Sequence, residues 1–434
     1  MRIYSDSKVS RFFSSVTKEQ TTGFLDDWNR RRDHTQRIYI SYDSSNKNCS
    51  AGDIDLIEYG KAKDNKGIPI FNLAIAFDKS NRVPLFYEEY PGSITDVSQF
   101  VHMVDKVTEY GYKKVGFILD RGYFSKDNIR YMEEGGYAFV IMVKGRKALV
   151  SSLVLENRGT FETDRDHSIR SCHVYGKTVK ARLYEDDTKD RYFHIYFNPS
   201  KHAAEREHFE QTLDRIKIYL EKHIGDVITS SKVCQEYFVL KFDKSGRLAS
   251  YTERKDVIRR ELDLCGYFCI VTSEEMTASQ ALIHYKGRDV SEKLFSADKS
   301  FIGSKSMRVQ TAQSLSAKIF VEFIALIVRT RMYNLLKETM LRLESKPNYM
   351  TVPAALRELE KIELVKQQSN GHYRLDHAVT KKQKTILRAF GLSDIDVKSM
   401  AIEIGNQLSG SPVPADEPTE EDDDYGEDTF DIID

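Results

Sequence analysis

The order of strand and helix patterns between residues 37 and 143 constrains the fold more than any other feature. Three strand-like runs come first, over residues 37–42, 69–77 and 83–90. Helix, strand, helix and strand patterns then follow in turn, over residues 97–107, 114–119, 125–134 and 137–143. Meandering strands pair antiparallel, whereas strands joined by helical crossovers pair parallel. The order therefore predicts an α/β fold built on one mixed sheet.

The pattern changes between residues 148 and 263. Strand-like runs with charged turns occur within residues 161–185 and 191–197, and another strand pair is predicted within 237–252. A long amphipathic helix separates them, with apolar side chains at helical spacing from Phe209 to Ile224. Residues 266–272 then return to the apolar strand pattern of the first part. We predict a β-rich subdomain inserted into the sheet domain.

At 434 residues the chain is long enough for two or three domains. Its C-terminal region is predicted to be helical. Two alternatives fit this region: a small helix–hairpin–helix unit with a turn at residues 369–371, or a winged-helix domain. The predicted segments are a short polar and basic lead-in (1–36), the first part of the core (37–147), the β-rich insertion (148–263), the second part of the core (264–345), a small accessory region (346–410) and an acidic disordered tail (411–434).

The charge is divided unevenly along the chain. The formal net charge is -1, from 65 basic and 66 acidic side chains. Eleven of the acidic residues lie in residues 411–434, which contain no Lys or Arg, so the rest of the chain carries a net charge of +10. A moderately basic body with an acidic tail is compatible with nucleic-acid binding.

Cysteine usage and hydropathy point to a reducing cytoplasm. The five cysteines contain no CxxC pair, which argues against a disulfide framework and against a zinc site. The N-terminus does not resemble a signal peptide. The most apolar helix, over residues 319–328, is too short to span a bilayer and contains Glu322. We therefore predict a cytoplasmic protein without a membrane partner.

Residues 285–299 contain four side chains with the spacing Y-x2-R-x3-E-x6-K, namely Tyr285, Arg288, Glu292 and Lys299. On one continuous helix they would fall within an arc of roughly 60°. Ile283, Val290 and Leu294 would lie on the opposite, packed side. A carboxylate among basic groups suits a metal ion beside a phosphodiester. The alternative is a solvated helix face on which Arg288 and Glu292 form an ordinary ion pair.

Two aspartates occupy the ends of predicted strands. Asp43 follows the first strand, and Asp120 ends the fourth. Sites in open α/β sheets gather at the carboxyl ends of strands, so adjacent strands would bring the two carboxylates together. With Glu292 they would form an oxygen-rich ligand set that favours two Mg²⁺ or Mn²⁺ ions. The alternative is an ordinary turn role for each aspartate.

Basic residues after the fifth strand form a further candidate site. Lys144 and Arg146 lie just beyond the strand predicted over residues 137–143. They would contact DNA if that edge of the sheet holds the site. A solvated loop is the alternative.

With these motifs in place, the sequence resembles the DDE transposases of bacterial insertion sequences, in the group marked by the Y-x2-R-x3-E-x6-K signature. Tyr42-Asp43-Ser44 and Leu119-Asp120-Arg121-Gly122-Tyr123 resemble the family's two aspartate motifs. The resemblance implies an RNase H-like core with a β-rich insertion before the glutamate. It also implies that Asp43, Asp120 and Glu292 form a metal-binding catalytic triad, and that Tyr285, Arg288 and Lys299 contact phosphates.

The implied activity is metal-dependent cleavage and strand transfer of double-stranded DNA, at transposon ends and at a target. Pairing two ends implies a homodimer on DNA, in the bacterial nucleoid. Such transposases usually carry an N-terminal domain that recognises terminal repeats, whereas 36 residues precede the first strand here. This short N-terminus favours one alternative, a degenerate or truncated remnant that only binds DNA. A second alternative is an RNase H-like nuclease without strand transfer.

Overall fold

The computed structural model describes residues 5–51, 54–62, 67–144, 147–229, 232–288, 306–343, 347–368 and 371–409. The chain divides into two compact units, Met1–Ile327 and Val328–Asp434. The strands are β1 (Ile38–Cys49), β2 (Ile70–Asp78), β3 (Val83–Pro91), β4 (Val115–Leu119), β5 (Ala138–Met142), β6 (Ser168–Ile169), β7 (Val174–Ala181), β8 (Arg191–Phe197), β9 (Phe238–Phe242), β10 (Leu248–Glu253), β11 (Tyr267–Thr272), β12 (Ser306–Met307), β13 (Leu364–Lys366) and β14 (Tyr373–Leu375).

The helices alternate with these strands along both units. They are α1 (Asp6–Ser15), α2 (Lys18–Arg30), α3 (Asp96–Glu109), α4 (Lys126–Glu134), α5 (Lys147–Asn157), α6 (Pro199–Lys222), α7 (Lys232–Tyr237), α8 (Lys255–Leu264), α9 (Ala278–Lys286), α10 (Ala312–Arg342), α11 (Val352–Leu359), α12 (Lys381–Ala389) and α13 (Asp394–Ser409).

One mixed sheet organises the first unit, in the order β3-β2-β1-β4-β5-β11-β8-β7-β6, with β12 paired to β1. The meander β1–β2–β3 is antiparallel, whereas β1–β4 and β4–β5 are parallel. Helices α3 and α4 make the crossovers into the parallel strands. The predicted mixed α/β sheet is confirmed.

Strand β1 is longer than predicted. The predicted strand ends before Asp43, but β1 continues to Cys49 and residues 44–49 are buried. Their polar character obscured the strand pattern. Pairing with β2 holds them in place, from Ser44 opposite Ala74 to Asn48 opposite Ile70. Asp43 therefore lies inside a strand rather than beyond its end.

The two faces of the sheet bury different cores. The larger core contains Phe100, Phe117 and Phe323 beneath α3 and α10. Each such fully buried ring contributes about 1.5–3 kcal/mol of transfer free energy. The smaller core lies on the opposite face, where Leu282 of α9 packs with Ile118 and other sheet residues.

The N-terminal residues are helical, although the sequence shows no clear periodicity there. Thr17 and Gln20 form a reciprocal capping box at the start of α2. Trp28 and the buried Asn29 donate hydrogen bonds to the backbone carbonyls of Pro84 and Leu85, at 2.9 and 3.0 Å. These contacts hold α2 against β3.

The block between β5 and β11 is more helical than predicted. It contains α5, α6, α7 and α8 as well as strands, and β8 pairs directly with β11, so that β6–β8 extend the central sheet. A separate core joins α6, α7 and the β9–β10 hairpin, with Leu213, Cys234 and Phe238 at its centre.

The second unit has a small core of its own, which includes Leu336, Met350 and Ile386. The hairpin β13–β14 lies between α11 and α12 in sequence, as the helix–hairpin–helix pattern predicts. Thr380 and Gln383 cap the start of α12.

Candidate active site

The parallel pairing of β1 and β4 brings two aspartates side by side. Tyr42 stands opposite Leu119, so the next residues of the two strands are Asp43 and Asp120. Successive side chains of a strand alternate between faces. Tyr42 belongs to the larger core, so Asp43 projects from the face that α9 covers.

Both carboxylates are partly exposed, with 17% of the Asp43 side chain and 34% of the Asp120 side chain accessible. The backbone N–H of Ser44 donates to Oδ1 of Asp43 at 2.9 Å. Because the β1–β4 pairing places the two residues side by side, the structure shows the predicted meeting of their carboxylates.

Helix α9 crosses the face on which Asp43 lies. Thr277 and Gln280 form a capping box at its start. The predicted continuous helix is wrong at residue 287, because α9 ends at Lys286 and Gly287 is its C-cap, and the rest of the prediction, over residues 289–299, lies outside the described residues. The predicted orientation is wrong as well: Ile283 is 51% exposed, whereas Tyr285 is 8% exposed and packs in the smaller core.

Tyr285 and Arg288 converge on the two aspartates. The Tyr285 hydroxyl donates a hydrogen bond to Oδ1 of Asp120 at 3.1 Å. Nη1 of Arg288 lies 4.0 Å from Oδ2 of Asp43, and Nη2 lies 3.9 Å from Oδ1 of Asp120. The guanidinium thus offsets the repulsion between the two carboxylates. Burial, and secondarily the charge of Asp120, raises the pKa of Tyr285, so the phenol stays protonated and can donate.

A second layer of tyrosines lies behind the aspartates. The Tyr42 hydroxyl donates to Oε2 of Glu88 at 2.7 Å, and its ring is 5.5 Å from that of Tyr123. Burial raises the pKa of both Tyr42 and Tyr123 well above the ordinary value. These rigid, neutral rings support the strand positions from which Asp43 and Asp120 project.

The remaining predicted site residues are placed unevenly. Glu292, Lys299 and Arg146 lie outside the described residues. Lys144 is exposed just beyond β5, and because Leu119 pairs with Ile141, it lies at the same sheet edge as Asp120.

Sequence reasoning missed Lys79, a turn lysine whose Nζ contacts the last turn of α9. An isolated lysine after a strand carries no motif. The one available signal was Gly287, the small residue inside the Y-x2-R spacing, over which the Lys79 side chain lies.

The donor set fits a hard divalent cation. Asp43 and Asp120 supply carboxylate oxygens, the donors that Mg²⁺ and Mn²⁺ prefer. Among the described residues, no three His, Cys, Asp or Glu side chains are grouped to hold a metal. The described part of the site therefore supplies two of the three predicted ligands.

Fold and site together define an α/β protein whose mixed sheet presents paired aspartates on neighbouring parallel strands, with an arginine between them. The sequence matches the family model described as "Transposase DDE domain" over residues 31–328. The chain belongs to this family and is a DDE transposase, an enzyme that cleaves DNA strands and transfers them. The predicted mixed α/β fold and the predicted class of activity, DNA transposition, are confirmed. Enzymes of this family generally use divalent metal ions.

Several solved transposase structures are similar to the chain. The piggyBac transposase synaptic complex with hairpin DNA has a TM-score of 0.41 and 8% identity, covering 97% of this chain and 67% of that one. The Mos1 transposase paired-end complex with left transposon end has a TM-score of 0.18 and 13% identity, covering 32% and 43%. The Drosophila P element transposase strand transfer complex has a TM-score of 0.19 and 12% identity, covering 77% and 59%.

No curated protein matches the sequence. Within the described part of the chain, every helix is too short or too polar to cross a membrane.

Proposed function

We propose that Asp43, Asp120 and Glu292 are the catalytic and metal-binding residues of this transposase, and that it moves its element by cutting and pasting. The observation that supports this most is the convergence of Tyr285 and Arg288, two residues of the family signature, on Asp43 and Asp120. Glu292 follows Arg288 by four residues, a span of at most about 14 Å. The chain therefore tethers its carboxylate within reach of the pair.

Two divalent ions, Mg²⁺ or Mn²⁺, fit this ligand set. The chemistry that such ions supply when bound is activation of the attacking water or 3′-hydroxyl and stabilisation of the leaving oxygen. Arg288 orients the carboxylates and offers N–H donors to the phosphate at the cleaved bond. Tyr285, whose single O–H proton lies on Asp120, would contact that phosphate by giving up this bond. Lys299, Lys144 and Arg146 would contact neighbouring phosphates of the double-stranded transposon end.

Pairing of two transposon ends favours a homodimer on DNA. The protein would then act in the bacterial cytoplasm on nucleoid DNA. We propose that the chain is organised as segments 1–36, 37–147, 148–263, 264–345, 346–410 and 411–434, with strands β6–β8 of the third segment joined to the central sheet.

The proposed activity is tested with full-length protein, Mg²⁺, a labelled duplex from the DNA flanking the coding region, and a target plasmid. Joined products are expected, and EDTA should abolish them. Cleavage without joining would indicate a nuclease instead. A mobility shift that survives EDTA, with no cleavage in Mg²⁺ or Mn²⁺, would indicate a remnant that only binds DNA.

A further inference from the structure

The last turn of α9 receives a side chain from a distant part of the sheet. Nζ of Lys79, the residue after β2, donates to the carbonyls of Ile283 and His284 at 3.1 and 3.3 Å. It also lies 3.4 Å from Nδ1 of His284. These carbonyls carry the partial negative charge of a helix C-terminus and can accept a second hydrogen bond besides that from the Gly287 N–H, so a half-buried ammonium group suits them.

The surroundings of Lys79 are shaped to admit it. A Cβ added at Gly287 would lie 2.1 Å from Cε of Lys79, and its three nearest atoms would all belong to that lysine. The backbone N–H of Lys79 donates to the carbonyl of Tyr39, whose ring packs 4.5 Å from the His284 ring. The start of β1 and the turn after β2 therefore both hold the end of α9.

This end of α9 determines where two active-site side chains lie. Tyr285 is in the last turn, and Arg288 comes just after the cap, where its backbone N–H donates to the Tyr285 carbonyl at 3.0 Å. A shift of the turn would withdraw the hydroxyl from Asp120 and the guanidinium from both aspartates.

We propose that Lys79 is a positioning residue of the active site, which fixes the end of α9 so that Tyr285 and Arg288 meet Asp120 and Asp43. This proposal rests on the assignment of the two aspartates to catalysis. Lys79 would influence the rate of cleavage without touching DNA or the reacting atoms.

The test uses full-length Lys79→Ala, Lys79→Arg, Gly287→Ala and the Lys79→Ala/Gly287→Ala double variant. A displacement of about 1 Å at a reacting centre costs roughly hundredfold in rate. We expect Lys79→Ala to slow single-turnover cleavage about tenfold to hundredfold while DNA affinity changes less than about threefold. Lys79→Arg should recover much of the rate. Lys113→Ala, an exposed lysine just before β4, is the matched control and should cleave normally.

Gly287→Ala makes the test specific to this contact. The added methyl displaces the lysine in the wild-type background, so cleavage should slow. The Lys79→Ala background lacks Cδ, Cε and Nζ of Lys79, the three atoms nearest to the added methyl, so the second substitution should add little. Additive losses from the two substitutions would overturn the proposal.

A measurement independent of activity separates this proposal from the proposed function. Amide hydrogen exchange at residues 287 and 288 should accelerate in Lys79→Ala, because both N–H groups bond to carbonyls of the last turn. Unchanged exchange overturns the role of Lys79, as does a loss of DNA affinity that matches the loss of rate. Faster exchange together with full cleavage by Asp120→Asn would overturn the catalytic assignment and, with it, this proposal.

Discussion

Asp120 combines a partly exposed carboxylate with two partners, the Tyr285 hydroxyl and the Arg288 guanidinium. Asp120→Asn keeps the size of the side chain but removes the charge of a proposed metal ligand. We expect cleavage to fall by at least about a thousandfold, or roughly 4 kcal/mol of transition-state stabilisation, while DNA affinity is nearly unchanged. Single-turnover cleavage and mobility-shift assays measure the two effects. Asp127→Asn, at an exposed position of α4, is the control.

His194 provides a second prediction at the residue scale. It is fully buried, with Nδ1 2.9 Å from Thr178 Oγ1 and Nε2 3.0 Å from Thr272 Oγ1. Burial lowers its pKa from 6.5 to about 4. Between these values the unfolded chain takes up the proton first, so stability present above pH 6.5 is lost as the pH falls towards 4.

The free energy of unfolding lost through protonation of His194 amounts to at most about 3 kcal/mol. Urea denaturation from pH 7 to 4 should show a shallower decline for His194→Gln than for the wild type. His208→Gln, at an exposed position of α6, should follow the wild-type curve. Identical curves for all three proteins would contradict the prediction.

Among the secondary-structure elements, β1 and α10 are joined by a buried ion pair. Nζ of Lys47 lies 2.8 Å from Oε2 of Glu322, with 0% and 6% of the two side chains exposed. Removal of one partner leaves a buried charge, so Glu322→Ala should lower the free energy of unfolding by about 3–5 kcal/mol. The double variant Lys47→Met/Glu322→Leu should restore most of the free energy of unfolding, because two apolar side chains leave no buried charge without a partner.

An exposed ion pair serves as the control for the buried pair of Lys47 and Glu322. Arg30 and Asp27 are 2.8 Å apart, but their side chains are 74% and 58% exposed. Water screens such a pair, so Asp27→Ala should change the free energy of unfolding by less than about 1 kcal/mol. Equal effects of Asp27→Ala and Glu322→Ala in urea denaturation would show that burial is not the cause.

At the scale of the whole molecule, the acidic residues of the tail offset the basic charge of the rest. Deletion of residues 411–434 changes the formal net charge from -1 to +10. Long-range repulsion of DNA would fall, so affinity for non-specific duplex should rise about tenfold at low salt. The difference should shrink as salt screens the charges. A full-length variant with the eleven acidic residues changed to Asn or Gln should match the deletion, and a difference between the two would argue against a charge effect.

Much of the site followed from residue order alone. The period of apolar residues identified the meander and the crossovers. These patterns left open whether β1 and β4 are neighbours, and the sheet order shows that they are. Asp43 and Asp120 had to meet once these strands were neighbours. Local patterns suffice to predict the strands and helices, because side-chain periodicity and connection length can be read directly from the sequence.

Contacts between residues distant in sequence determine the features that local patterns did not predict. Residues 44–49, polar except for Cys49, form a strand because β2 and, at its end, β12 pair with them. Helix α9 ends at Lys286, where the Lys79 side chain lies across Gly287. Tyr285 faces the core, not the solvent as the amphipathic pattern predicts, because the helix buries its ring in the cluster that contains Ile118 and Leu282. The order of residues alone identified the two aspartates and the strands that carry them. Only the folded sheet, through side chains distant in sequence, determined where the helix stops and how its last residues face the aspartates.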